Sequence, residues 1–332
     1  MTTVLVVGAG AIGTRAGREL GSVPGIERFL VADRRRERAD ALRRHLGSRA
    51  EVVEWSPRRA LPVGVDAVAC ALPAEDDVPL VLAALEAGVP VATSGDDQDG
   101  IATLLRLDEE ARAAGVPVLV GCGLAPGLSD VLAAHAASLL DVVDEIHVAR
   151  AGIAGAKSEA SMRRTHGERP IEVRDGEVLE VRRRTTHELV HFPDPVGAQE
   201  CELIGAGIEL LHRAFPEAGR ITARAVEPPP RTRGWLRRDD PGGRWGATRV
   251  EVWGRIGEAC EPVVYGAVGR TATVGGTVLA VATAALAGVM PSVAGARAGV
   301  QGLGGGVESG AFLAELARRG VHAARFEGVP VT

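Results

Sequence analysis

Asp96 and Asp97 stand in T-S-G-D-D at the end of a short apolar run. From there a carboxylate can take a proton or meet an ammonium group. Asp97 is the candidate base and Asp96 the candidate substrate contact, although Asp ahead of a helix also serves as an ordinary cap. Residues 154–170 gather Lys157, Arg163, Arg164, His166 and Arg169 within 13 positions. Lys157 and His166 are candidate proton carriers, and the arginines beside His166 oppose its protonation, which leaves the ring able to accept a proton. Arg163, Arg164 and Arg169 suit a substrate carboxylate, which a guanidinium holds through paired hydrogen bonds. The stretch is expected to fold over a cleft as a lid, against the alternative of plain solvated surface. Ser129, after Pro126-Gly127, reads as the cap of the following helix, with a substrate contact in addition.

A second constellation binds rather than reacts. Gly8-Ala9-Gly10-Ala11-Ile12-Gly13 follows an apolar run at 3–7 and opens a helical pattern at 11–20. In G-x-G-x-x-G the first glycine permits a tight turn, the second lets backbone approach a pyrophosphate, and the third lets helix and strand pack closely. Ala11 and Ile12 begin the helix, whose free N–H groups and dipole favour phosphate. The motif in this setting points to NAD or NADP. Asp33 follows 25 residues after Gly8, at a strand end, where its carboxylate can accept from both ribose hydroxyls and favours NAD. Arg34, with Arg35 and Arg36 behind it, can stack on adenine or pair with a 2′-phosphate, so NADP stays open. Leu72 and Pro73, after the fourth strand, are expected beside the nicotinamide ribose.

These residues need a scaffold that brings strand ends together. Apolar runs at 3–7, 28–32, 51–54, 66–71, 90–92 and 117–120 alternate with helical patterns, the signature of a parallel sheet. A single helix is expected over 100–114. Beyond Gly127 the pattern becomes alternating, at 145–149, 178–182, 187–191, 248–255 and 263–268, as in a sheet with one open face. Polar, Gly/Pro-rich stretches at 152–170 and 228–246 interrupt it, and helical patterns return at 274–287 and 307–319.

Composition narrows the class. The chain has 332 residues, 46% hydrophobic and only 3% aromatic, so its core must be aliphatic. A net charge of −5 gives no general pull toward nucleic acid or anionic lipid, and neither partner is expected. The apolar run at 274–290 carries Gly275, Gly276, Thr277 and Thr283 and reads as a buried helix rather than a membrane span. The four scattered cysteines suit reduced thiols; with no leader pattern at the start, a cytoplasmic protein is expected. No metal-ligand spacing is present and no metal is expected.

The chain resembles the saccharopine dehydrogenase-like superfamily. The segments that carry this are V-L-V-V-G-A-G-A-I-G at the start, C-A-L-P after the fourth strand, G-C-G-L-A-P-G-L-S-D-V-L-A at 121–133, and R-T-A-T-V-G-G-T at 270–277. The resemblance implies an α/β fold: a Rossmann doubly wound parallel sheet from 1–128 and 272–332, with an inserted α+β domain at 129–271 that covers the cleft and often forms a homodimer. It also implies NAD(P)-dependent oxidation or reduction of a carbon–nitrogen bond in an amino-acid-like substrate. Such hydride transfer asks the protein for alignment and removal of an ammonium proton. Two other readings are an NAD-using enzyme without net cofactor turnover, like homospermidine synthase, and a catalytically silent NAD-binding regulatory protein.

Overall fold

The computed structural model describes residues 1–57, 59–72, 74–182, 187–228 and 244–326; Pro73 and most of the polar stretch 228–246 lie outside them. The first unit strings together β1 (Thr2–Val7), α1 (Ala11–Gly21), β2 (Ile26–Ala32), α2 (Arg36–Leu46), β3 (Ala50–Val52), β4 (Ala67–Cys70), α3 (Ala74–Ala87), β5 (Val91–Thr93), α4 (Gln98–Leu105), α5 (Asp108–Ala113), β6 (Pro117–Val120) and α6 (Leu128–Ala137). Val4–Val7 in β1 are at most 3% exposed, which is why the strand reads as an unbroken apolar run.

The second unit follows as β7 (Val142–Ala151), α7 (Ala156–Gly167), β8 (Ile171–Arg174), β9 (Glu177–Glu180), β10 (Glu188–His191), β11 (Ala198–Ile204), α8 (Ile208–Ala214), β12 (Arg220–Val226), β13 (Trp245–Ile256) and β14 (Ala259–Arg270). The chain then returns through α9 (Thr271–Leu286), β15 (Gly299–Gly302), α10 (Leu303–Gly306), α11 (Ser309–Arg318) and β16 (Ala323–Arg325).

Seven parallel strands form the first sheet in the order β15-β6-β5-β4-β1-β2-β3. The order reverses between β1 and β4, and the crevice outside their carboxyl ends is where such sheets bind ligands. The second sheet runs β10-β11-β12-β7-β13-β14-β16, with β8 pairing β12 and β9. It is mixed, since β12 and β7 run parallel while the remaining described pairs are antiparallel.

Helices α6 and α9 join the units. Ile146, Val148, Val250 and Val252 of the second sheet share one core with Leu128, Val131 and Leu132 of α6 and with Val274, Val278 and Val281 of α9. Helix α9 lies hard against α1 because Gly276 has no side chain: a Cβ there would stand 2.8 Å from the Ile12 carbonyl oxygen. No helix among the described residues is long and apolar enough to cross a membrane.

The structure departs from the sequence reading in three places. The helix expected over 100–114 is two, α4 and α5, because Asp108 turns to accept the Val300 N–H at 2.8 Å and so ties β15 to the sheet. Most of the stretch 154–170 is the helix α7 rather than an open loop. Residues 323–325, expected in the nucleotide-binding half, leave it as β16 and pair with β14 at the rim of the second sheet.

Candidate functional site

The glycine loop closes on the switch point between β1 and β4. Gly8 takes φ +87°, a conformation that costs other residues strain, and a Cβ on it would lie 2.5 Å from the Ala71 carbonyl oxygen. Gly13 is still tighter: its Cβ would fall 1.7 Å from the Gly8 carbonyl oxygen. Gly10 differs, since a Cβ there would meet nothing within 4 Å. Packing therefore explains Gly8 and Gly13 but not Gly10, whose bare backbone faces open space at the start of α1. The N-terminus of α1, beside Ala11 and Ile12, therefore presents open backbone that could receive a pyrophosphate. Leu72 stands against the loop, its Cδ2 3.3 Å from the Cβ position of Gly8.

Asp33 caps this arrangement. Its Oδ2 accepts the Ala9 N–H and its Oδ1 the Arg35 N–H, both at 2.7 Å. The carboxylate thus fixes the glycine loop while each oxygen keeps a lone pair for a ribose hydroxyl. Arg34, Arg35 and Arg36 are exposed.

Helix α7 spans the mouth of the crevice. A Cβ on Gly155, its N-cap, would touch the Ala11 Cβ at 3.4 Å, so the helix starts beside the glycine loop. Midway, the Ser161 hydroxyl donates to Asp96 Oδ1 at 2.7 Å. Arg150 at the end of β7 donates from Nη1 to Asp96 Oδ2 at 2.9 Å and to the Ala125 carbonyl. Asp96 is thereby the bolt between the two units, held by a residue of α7 and one of β7. Asp97 is 6% exposed and its Oδ1 caps α4 by accepting the Gly100 N–H at 2.9 Å. Burial raises its carboxyl above the ordinary value, Asp96 adds to this, and the Gly100 bond and Arg164 oppose it. Glu168, just past α7, is raised by its own burial and by Asp99, Asp97 and Asp96.

The arginines expected to meet at the lid do not gather. Arg163 pairs with Glu159 one turn back at 2.9 Å, and Arg169 pairs with Glu180 on the surface at 3.0 Å. Arg164 is exposed, yet close enough to Asp97 to lower it. Lys157 is exposed on the first turn of α7. His166 donates from Nδ1 to the Met162 carbonyl at 2.9 Å, and its enclosed Nε2 has no partner. Ser129 is not a cap: α6 is capped by Gly127 without a side-chain bond, and the buried Ser129 hydroxyl donates to Asp130 Oδ1 at 2.8 Å.

Three residues of the site escaped the sequence reading. Asp77 is fully buried at the base of the crevice, accepting from the Thr93 hydroxyl and from the Cys70 thiol at 3.1 Å, and burial pushes it up to about 7. Asp130 is likewise pushed to about 7 by burial. Arg150 is 7% exposed at the end of β7. The acidic run around Asp77 and the S-D pair at 129–130 look like helix starts, and nothing in the sequence distinguishes Arg150 from other strand arginines.

No family model matches the chain. It shares its fold with the apo saccharopine dehydrogenase (L-Glu forming) of Saccharomyces cerevisiae, at a TM-score of 0.69 and 14% identity over 98% of this chain and 100% of that one. The amine dehydrogenase of Mycobacterium smegmatis aligns over 93% of this chain and 96% of its own, at 12% identity and a TM-score of 0.49. In sequence, 77 residues are 40% identical to glutamyl-tRNA reductase of Corynebacterium efficiens, a match spanning 22% of this chain and 16% of that protein. The likeness to the yeast structure runs through both units, so the α/β architecture of a Rossmann sheet with a second α+β unit is the observed one.

Proposed function

We propose that the chain is an NAD(P)-dependent oxidoreductase acting on a carbon–nitrogen bond of an amino-acid-like substrate, with NAD the favoured cofactor. The observation that carries this is Gly10. It is a glycine that packing does not require, on the open side of a loop whose other two glycines packing does require. The yeast protein that shares the fold bears the name of a dehydrogenase with an amino acid, L-Glu, among its products, which supports the same class of chemistry.

Gly8, Gly10, Ala11, Ile12 and Gly13 would hold the pyrophosphate, Asp33 the adenine ribose and Leu72 the nicotinamide end. A bound nicotinamide supplies the hydride or accepts it. The protein's own part is to align the amine and move its proton. Asp97 lies in the crevice with a carboxyl raised by burial, which suits a group that must take up and release a proton. Asp96, tied to Arg150 and Ser161, holds α7 over that carboxyl and keeps water out.

Absorbance at 340 nm, followed with NAD, NADP and their reduced forms against a panel of amino acids and cyclic imines, tests the reading. Stoichiometric conversion of cofactor with at least one of them is expected. Binding of NADH with no conversion across the panel would replace this reading with that of a silent NAD-binding protein. Product formed on catalytic cofactor would replace it with a non-turnover enzyme.

A further inference from the structure

Asp77 holds a carboxyl where the fold would take an apolar side chain. It is fully buried near the start of α3. Leu80 and Val81, three and four places further along that helix, are core residues of the parallel sheet, as is Cys70. A carboxyl among them costs stability, because burial disfavours its charge and pushes it up to about 7. What it adds, and an aliphatic side chain would not, is a pair of acceptors. Both are used: Oδ1 accepts from the Cys70 thiol at 3.1 Å and Oδ2 from the Thr93 hydroxyl.

Thr93 passes this hold to the loop that follows β5. Its hydroxyl oxygen accepts the Gly95 N–H at 3.2 Å, and with its proton aimed at Asp77 the lone pairs stay free for that bond. Gly95 also lies against the carboxyl itself, since a Cβ on it would stand 2.2 Å from Asp77 Oδ2. Its backbone is not left-handed, so the nearness of Asp77 is what excludes a side chain there. The Ser94 N–H donates to the Cys70 carbonyl at 3.0 Å, and the Thr93 carbonyl accepts the Cys122 N–H at 2.8 Å. The loop is thus rooted at the ends of β4, β5 and β6. Two residues beyond Gly95 it reaches Asp97, whose cap on α4 fixes its other end.

We propose that Asp77 is a positioning residue, which acts through Thr93 and Gly95 to set where the Asp97 carboxyl stands in the crevice. What Asp97 does there rests on the oxidoreductase reading. A shift of about 1 Å at a reacting group can cost on the order of 100-fold in rate, so a carboxyl enclosed below the loop can govern turnover through its neighbours.

Carbon-13 NMR of the full chain, labelled at the aspartate carboxyls and with the Asp97 signal identified by Asp97→Asn, tests the placement without cofactor. Thr93→Val keeps the shape and removes the hydroxyl; Thr93→Ser keeps the hydroxyl. Burial raises Asp97 in the wild type. A loop released by Thr93→Val admits water, so the Asp97 midpoint should shift down, while Thr93→Ser should hold it. Asp97 is faced by Asp96, Arg164, Glu168 and Asp77, and of these only Asp77 changes its bonding in Thr93→Val. Asp77→Asn removes that charge and keeps an acceptor for Thr93, so the Thr93→Val midpoint should fall below the one in Asp77→Asn. With a substrate that converts at 340 nm, Thr93→Val should lower kcat by at least about tenfold and leave the cofactor KM within about twofold. Thr93→Ser should recover most of that rate. An Asp97 midpoint in Thr93→Val no lower than in Asp77→Asn, or an equal loss of kcat in Thr93→Val and Thr93→Ser, would overturn the proposal. So would a wild-type Gly95 amide that exchanged as fast as an unprotected one rather than as slowly as those of β5; this needs no variant to fold. A wild type that bound no NADH would remove the oxidoreductase reading separately, since the titration alone decides the placement.

Discussion

A methyl group on Gly13 would have to share space with the Gly8 carbonyl oxygen, 1.7 Å away. Backbone on backbone leaves nothing flexible to yield, so Gly13→Ala should destabilise the chain by about 1–3 kcal/mol, read as a lowered thermal midpoint. A midpoint unchanged from wild type would mean that the loop is not built as described. Asp33 carries a different expectation. Asp33→Ala removes a negative charge that would face a 2′-phosphate, so the ratio of NADP to NAD affinity should rise, by competition titration. If the wild type already prefers NADP strongly, the exposed Arg34 and its neighbours decide the choice instead. The glycine loop was legible in the sequence because each glycine answers a local demand of turn, approach or packing. Arg150 was not, because its importance comes from Asp96 and Ala125, 54 and 25 residues away in sequence.

Helix α7 shows where pattern reading ends. Its length was visible as a polar stretch, and its crowd of Lys157, Arg163, Arg164, His166 and Arg169 suggested an anion-binding loop. The residues toward the crevice are shorter. Ser158, Ser161 and Thr165 fall at helical spacing along one face; Ser161 holds Asp96, and Thr165 is buried with an unpartnered hydroxyl. A hydroxyl stripe on a helix polar all round gives little hydrophobic contrast, so the 3.6-residue period was hidden. The Asp96 bolt makes a prediction for the element. Asp96→Asn should weaken the Arg150 bond and raise amide hydrogen exchange over residues 156–167 by about tenfold. NADH affinity should stay within about twofold, because the glycine loop does not touch Asp96. Unchanged exchange in α7 would mean that the helix is held by its apolar contacts alone.

Across the whole molecule, the parallel strands, the change to an alternating pattern after Gly127 and the return of helices near 274 were all readable, since burial on two faces, one face or none leaves different periods. What the sequence hid is that the last strand crosses to the second sheet, and that the carboxyls of Asp77 and Asp130 lie inside the fold. Asp77 and Asp130 rise from an ordinary value near 3.8 to about 7 through burial. The folded chain therefore retains protons that the unfolded chain releases. Their contribution to stability is full below about pH 4 and is lost as pH rises through about 7, at about 1.4 kcal/mol per pH unit for each group within that window. Asp77→Asn should flatten the decline between pH 5 and 8 in urea melts; a variant that tracked the wild type at both pH values would contradict the burial argument. The central claim, that the crevice between β1 and β4 holds a nicotinamide dinucleotide, is tested most directly by fluorescence titration of NADH into wild type and Gly10→Asp, with circular dichroism on both. Because a Cβ at Gly10 would meet no protein atom within 4 Å, the variant should fold and melt like wild type while its NADH affinity falls by more than about tenfold. A folded Gly10→Asp that binds NADH as well as wild type would contradict the account.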